Sequence, residues 1–237
     1  MPLVDAVRAA GVIPSITASQ ASKKRYSEML SAALAVEVAD GLRAIDFPGV
    51  KPLRGGPGEK AFQGGLGPKK VDVSYADERH GLLLAVSVKT ICFEPYGKNL
   101  KNRFGDLCTE AITLHMRFPY SVVCALFAMP DEADADTTPL RHIPTFQRAR
   151  MLLGTISGRA DYVSPGEKFE DVMLMLFQPL REKNGEPRVR LCAATVRPEI
   201  AHEISESQYF EHLRAIYNVR NPHAQVGVER LDHEDAG

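Results

Sequence analysis

The chain has 237 residues, 44% of them apolar, which is enough to bury one sizeable core and too apolar for a disordered chain. A net charge of −1 excludes a uniformly basic nucleic-acid binder, yet residues 1–105 carry 15 Lys and Arg against 10 Asp and Glu, while residues 106–237 carry 14 against 20. No apolar run reaches the roughly 18 residues of a membrane span, and Met1-Pro2-Leu3-Val4-Asp5 is not a basic leader, so a cytoplasmic chain with no membrane association is expected.

Ser19 to Ile45 reads as a long helix, started by Ser and Thr residues and stopped before Pro48, with Tyr26, Met29, Leu30, Ala33, Leu34 and Gly41 on one stripe. Glu37 falls within that stripe and Glu28 on the opposite, watered face. A carboxylate on an apolar face is either paired or ligating, or the face packs incompletely. Residues 48–68, rich in Gly, Pro, Lys and Arg, read as a loop with a short strand inside; they lack the lysine spacing of a nucleotide-binding loop.

Lys69–Tyr75 and Leu82–Ile91 read as two strands joined by the turn Ala76–Gly81. Asn102–Arg117 is expected to be a helix buried through Leu107, Ala111, Leu114 and Phe118, and Tyr120–Met129 an apolar strand. An acidic loop, Asp131–Thr138, precedes a helix near Thr145–Ile156 and a hairpin from about Asp171 to Ala194 that turns at Asn184-Gly185. The last helix starts at Ser205, where Ser205-Glu206-Ser207-Gln208 makes a capping box. The expected fold is α/β: one domain spanning 1–237, with a mixed central sheet flanked by helices at about 19–129, a C-terminal α+β extension at 139–225 and a frayed tail at 226–237. Cys92, Cys108, Cys124 and Cys192 are too far apart for a zinc knuckle or redox motif and read as free thiols. The histidines show no metal-like spacing, and His115 reads as a packing or surface residue.

Alternation along the two strands puts Asp72 and Ser74 on one face of the first, and Ser87 and Lys89 on one face of the second. A hairpin can bring all four into one cleft. Phosphodiester hydrolysis needs a hard cation held by a few carboxylates, and a lysine that holds or deprotonates water or offsets charge on the phosphorane. Asp72 and Lys89 are the residues of those types; a lysine past the buried part of its strand can also simply snorkel to water, with Asp72 on a solvent face.

Asp72 followed by Ser87-Val88-Lys89 resembles the PD-(D/E)XK nuclease superfamily, in which an Asp on one strand and a Glu-x-Lys or Asp-x-Lys on the next coordinate magnesium. The likeness covers about Ser19 to Met129. Val71 stands where the motif has Pro, and Ser87 where it has its second carboxylate. A subgroup of type II restriction endonucleases carries Ser-x-Lys and takes that carboxylate from the following helix. Here Asp106 and Glu110, one turn apart, are the candidates; Asp106 can equally be an N-cap after Gly105, and Glu110 a solvated partner of Arg103 or Arg117.

The resemblance implies a magnesium-dependent endonuclease acting on double-stranded DNA at a specific site, as a homodimer or higher homo-oligomer. Asp72 with Asp106 or Glu110 would bind Mg2+, Lys89 would act on water, Ser87 would line the cleft, and Glu37 would complete the ligands. Lys98, Asn99, Lys101, Asn102 and Arg103 are expected to meet DNA phosphates at the helix start, and Arg141, Arg148, Arg150 and Arg159 are further candidates. A solvated charge run is the alternative for the first group, and a non-catalytic DNA-binding or assembly protein on the same fold is the alternative for the whole.

Overall fold

The computed structural model describes residues 2–197 and 202–227. The first element, α1 (Pro2–Ala10), has no counterpart in the expectations above and packs its Leu3, Ala6, Val7 and Ala10 into the core. α2 (Gln20–Ala44) begins where its sequence says, with the Ser19 hydroxyl accepting from the Ser22 N–H at 3.2 Å, and ends at Ile45.

The run Lys69–Tyr75 is not one strand. β1 (Lys60–Gly64) and β2 (Gly67–Val71) form a separate two-stranded hairpin, the chain bends at Asp72, and β3 (Val73–Asp77) enters the main sheet beside β4 (Gly81–Thr90). A contiguous K-K-V-D-V-S-Y pattern carries no mark of that bend, because both halves alternate alike. α3 (Tyr96–Arg117) starts earlier than Asn102, so the basic and amide run lies inside the helix instead of leading into it. Gly97, Asn99 and Asn102 are weak helix formers, and the turn they occupy is held by burial of Tyr96 and Leu100.

β5 (Val122–Pro130) pairs parallel to β4 and to β6 (Asp171–Phe177); β7 (Val189–Ala193) and β8 (Glu203–Ile204) continue the sheet antiparallel. The sheet is therefore six-stranded and mixed, in the order β3-β4-β5-β6-β7-β8, and the C-terminal segment extends it. β5 and β6 are buried along their whole length because helices cover both faces. On one face α1, α2 and α5 (Glu206–Arg220) enclose a core of Leu30, Leu34, Phe47, Val86, Tyr209 and Tyr217; on the other, α3 and α4 (Thr145–Gly154) cover Leu107, Leu114, Phe127, Phe146 and Leu174. Each such large side chain, fully withdrawn from water, contributes about 1.5–3 kcal/mol before the entropy of ordering is counted.

Close approaches set the layers. A Cβ at Gly41 of α2 would stand 2.1 Å from Phe210 Cζ, so the missing side chain lets α5 sit directly on α2. Gly64 does the same for the β1–β2 hairpin: its Cβ would stand 2.4 Å from Thr113 Cγ2, and the Gly65 N–H donates to the Thr113 carbonyl at 2.8 Å. The hairpin is thereby clamped to α3. Ser205 and Gln208 form the expected capping box of α5. The acidic loop after β5 contains a 3-10 turn, Asp131–Asp134. Val226 is tied at both backbone groups to the Asn218 side chain, at 2.9 and 3.0 Å, and the rest of the expected tail, residues 228–237, lies outside the described residues. No helix among the described residues is long and apolar enough to cross a membrane.

Candidate active site

The bend at Asp72 and the C-terminal half of β4 meet the middle of α3 at one end of the sheet. With Val73 paired to Val86, the next position brings Asp72 beside Ser87-Val88-Lys89. Asp72 Oδ2 accepts the Val88 N–H at 2.7 Å and lies 3.6 Å from Lys89 Nζ. From the other side Glu110, 1% exposed, points into the same space: Ser87 Oγ donates to its Oε1, and Lys89 Nζ lies 2.9 Å from its Oε2. Lys89 therefore bridges two carboxylates, one from each side of the strand end.

A second ammonium reaches the cluster from the β1–β2 hairpin. Lys69 Nζ is also 2.9 Å from Glu110 Oε2, and neither lysine meets that oxygen in hydrogen-bond alignment. Sequence reasoning missed Lys69, since a hairpin folded back on a helix leaves no local pattern. Within β2, Lys69 and Val71 turn inward while Lys70 faces water.

Burial raises the Asp72 carboxyl above the ordinary carboxylate range, and the opposing pull of Lys89 and the Val88 N–H does not cancel it. Glu110 goes the other way: burial would raise it, but Lys89, the Ser87 hydroxyl and Lys69 together hold it low. Burial would lower the Lys89 ammonium, yet Glu110 and Asp72 carry it above its ordinary value, so Lys89 stays charged.

The cluster opens to solvent through a cleft of about 510 Å³ between α2 and α3, lined by Asp72, Lys89, Glu110, Lys69, Asp106 and Glu28 among others. It continues into a second hollow lined by Gln20, Lys23, Lys24, Asn99, Asn102 and Arg103. Of the expected DNA-facing run, Asn99, Asn102 and Arg103 face this groove. Lys98 does not line it, and Lys101 lies on the opposite flank of α3 beside the exposed Leu140 and Ile143. Lys23 and Lys24, which sequence reasoning passed over, stand across the groove on α2.

Asp106 lines the cleft mouth, half-exposed and 3.1 Å from Arg103; it is mid-helix, so it caps nothing. Glu37 is not in the cluster. It is buried elsewhere along α2 against Arg54 at 2.8 Å, and Asp40 joins them at 2.6 Å, tying the loop after Pro52 to the helix. Glu28, assigned to the watered face, is the α2 carboxylate that lines the cleft, paired with Lys24 at 3.6 Å. Ser74 is buried and its backbone pairs with Lys51. Arg150 and Arg159 are buried and so do not face DNA, and Arg141 is held by Asp136. The four cysteines are free thiols.

A buried and a partly buried carboxylate within reach of one ammonium form a hard-oxygen pair. Asp72 Oδ1 accepts no hydrogen bond among the described residues, and Glu110 Oε2 faces only lysines. Among the described residues no three His, Cys, Asp or Glu side chains are grouped to hold a metal. Mg2+ differs from zinc in needing only one or two carboxylates and keeping several waters. Comparison of the chain with protein-family models, with curated proteins and with solved structures finds no match.

Proposed function

We propose that the protein is a magnesium-dependent DNA endonuclease of the PD-(D/E)XK type, in the Ser-x-Lys variant of type II restriction endonucleases, with Glu110 as the second carboxylate. The observation that carries this is the meeting of Asp72, Ser87, Lys89 and Glu110 in one solvent-reaching cleft. The element order α2, β3, β4, α3, β5, an antiparallel pair followed by a helical crossover to a parallel strand, supports it as well.

Asp72 and Glu110 would hold the Mg2+, which when bound lowers the pKa of water and neutralises the scissile phosphate. Ser87 fixes Glu110: by occupying Oε1 it leaves Oε2 turned to the cleft. The Val88 N–H does the same for Asp72, occupying Oδ2 and leaving Oδ1 free. Lys89, kept protonated by its two neighbours, donates to the attacking water or to a phosphate oxygen and offsets charge as the phosphorane forms. Lys23, Lys24, Asn99, Asn102 and Arg103 would hold the backbone on either side of the scissile bond. Cutting both strands requires two such clefts, which a two-fold homodimer supplies.

Incubation of the purified protein with mixed phage and plasmid DNA, with magnesium or with chelator, tests this. Discrete magnesium-dependent fragments are expected, and their loss in Asp72→Ala and Lys89→Ala. Intact DNA under every condition, with folded protein, would overturn it in favour of a non-catalytic DNA-binding or assembly protein. Retention of DNA without magnesium, unchanged in Lys89→Ala, would mark that alternative.

A further inference from the structure

Glu110 has two lysine partners on one oxygen. Lys89 already lies within 3.6 Å of Asp72 and 2.9 Å of Glu110, and its side chain is only 15% exposed. Lys69 makes the second contact to the same oxygen, Oε2, from a different element and with 32% of its side chain exposed. The cluster thus holds two carboxylates and two ammonium groups and has no net charge. The two lysines are not equivalent. Lys89 grows from a strand whose neighbours are all buried, whereas Lys69 sits on a hairpin outside the main sheet and can turn its head to water along a flexible stem. An ammonium and a divalent cation drawn to the same carboxylate oxygen repel each other, and the one with access to water is the one that leaves.

Building on the metal-dependent reading of this site, we propose that Lys69 is a resident counter-charge. It occupies the cleft-facing oxygen of Glu110 when no divalent cation is bound, and is displaced when one arrives. The released ammonium is carried on the hairpin at the cleft wall, where the nearest incoming anion is the DNA backbone. Filling of the metal site and grip on DNA are then coupled through one side chain. Lys69 is a positioning residue in this scheme, and its removal has a sign that a merely structural role does not share: the metal should bind more tightly.

The test is Mn2+ titration of DNA-free protein, followed by electron paramagnetic resonance, for the wild type, Lys69→Met, Lys69→Arg and Glu110→Gln. Lys69→Met is expected to tighten Mn2+ binding by about tenfold, Lys69→Arg to leave it near wild type, and Glu110→Gln to abolish it. In parallel, acetylation of wild-type amines read by mass spectrometry should show Lys69 becoming more reactive when Mn2+ is added, a readout independent of how the variants fold. If Mn2+ binds through Glu110 but Lys69→Met binds no more tightly and Lys69 labelling does not rise, the role of Lys69 is overturned and the metal reading stands. If no variant binds Mn2+, or binding ignores Glu110→Gln, both are overturned.

Discussion

Helix α3 carries two buried acid–base clusters about one and a half turns apart, and they are built on opposite principles. At Glu110 the partners are a serine and two lysines, one of them a third exposed, at the wall of an open cleft. At His115 the helix meets Glu170, whose Oε1 accepts from Arg159 and Arg220 at 2.8 Å each, and whose Oε2 accepts the Val123 N–H at 2.8 Å with His115 Nε2 at 3.5 Å. His115 Nδ1 is 3.0 Å from the Gly166 carbonyl. Arginine forks and a backbone amide have fixed geometry, and here all are withdrawn from water; lysines are mobile point charges. The closed cluster joins the loop before β6 to the ends of α3 and α5. The open one leaves one carboxylate oxygen to two lysines and no fixed donor. Equal burial of Glu110 and Glu170 therefore says little about function until the partners and the exit to solvent are known.

The largest expected effect belongs to the open cluster and is catalytic. Asp72→Ala, Lys89→Ala and Glu110→Gln should each lower the DNA cleavage rate about 10²- to 10⁴-fold, measured on plasmid under single-turnover conditions, while the urea midpoint moves little. Glu170→Gln should reverse the pattern. It strands Arg159 and Arg220 without a counter-charge in a dry site, costing about 3–5 kcal/mol in urea unfolding, with cleavage per folded molecule nearly unchanged. If Glu170→Gln proves harmless to stability and Glu110→Gln unfolds the chain, the assignment of the two clusters is inverted.

Lowering the pH sharpens the same contrast. Burial would raise the Glu170 carboxyl, but His115, the Val123 N–H and Arg159 hold it below its ordinary 4.5. A carboxylate depressed on folding contributes stability that is fully present above the unfolded value and is lost as pH falls through the folded one. Acid unfolding followed by circular dichroism should therefore begin below about pH 4.5 and should lose part of its steepness in Glu170→Gln. In the metal-free cleft Asp72 is shifted the other way, so at sub-saturating magnesium cleavage should fail on acidification before the fold does. Activity and ellipticity that fall together would remove the distinction.

Much of this was legible in the residues because the signals were local. Ser19 as a cap, the Ser205 capping box, the apolar β4 and β5 and the Ser87-x-Lys89 spacing each lie within one element. Glu110 was one of two candidates, and the tertiary fold alone separates it from Asp106, since one helical turn moves a side chain from the cleft floor to its rim. Glu37 was expected among the ligands for a related reason, while Glu28 is exposed as expected and lines the cleft from α2. A helical wheel assumes one wet face, but α2 is packed by α1, α5 and the sheet, so Ala35, Val38, Ala39 and Leu42 are buried beyond the expected stripe, and the loop bearing Arg54 covers Glu37. Lys69 and the Glu170 cluster depend on pairings distant in sequence, and no periodicity encodes them.

The smallest expected effect is the most telling about how the cleft is built. Burial lifts the Asp72 carboxyl above its ordinary 3.8, so at neutral pH its ionised form is held against a cost, opposite in sign to Glu170. Asp72→Asn keeps an acceptor for the Val88 N–H and leaves Lys89 its contact with Glu110. It removes the desolvated charge together with its longer, 3.6 Å contact to Lys89. The variant should be as stable as the wild type or more so, by up to about 1 kcal/mol at pH 7, while losing cleavage; the gap should close as pH falls and the wild-type carboxyl takes up its proton. A residue retained for the fold cannot behave so, and an Asp72→Asn protein that is clearly less stable at pH 7 would place Asp72 with Glu170, among the groups that hold the layers together.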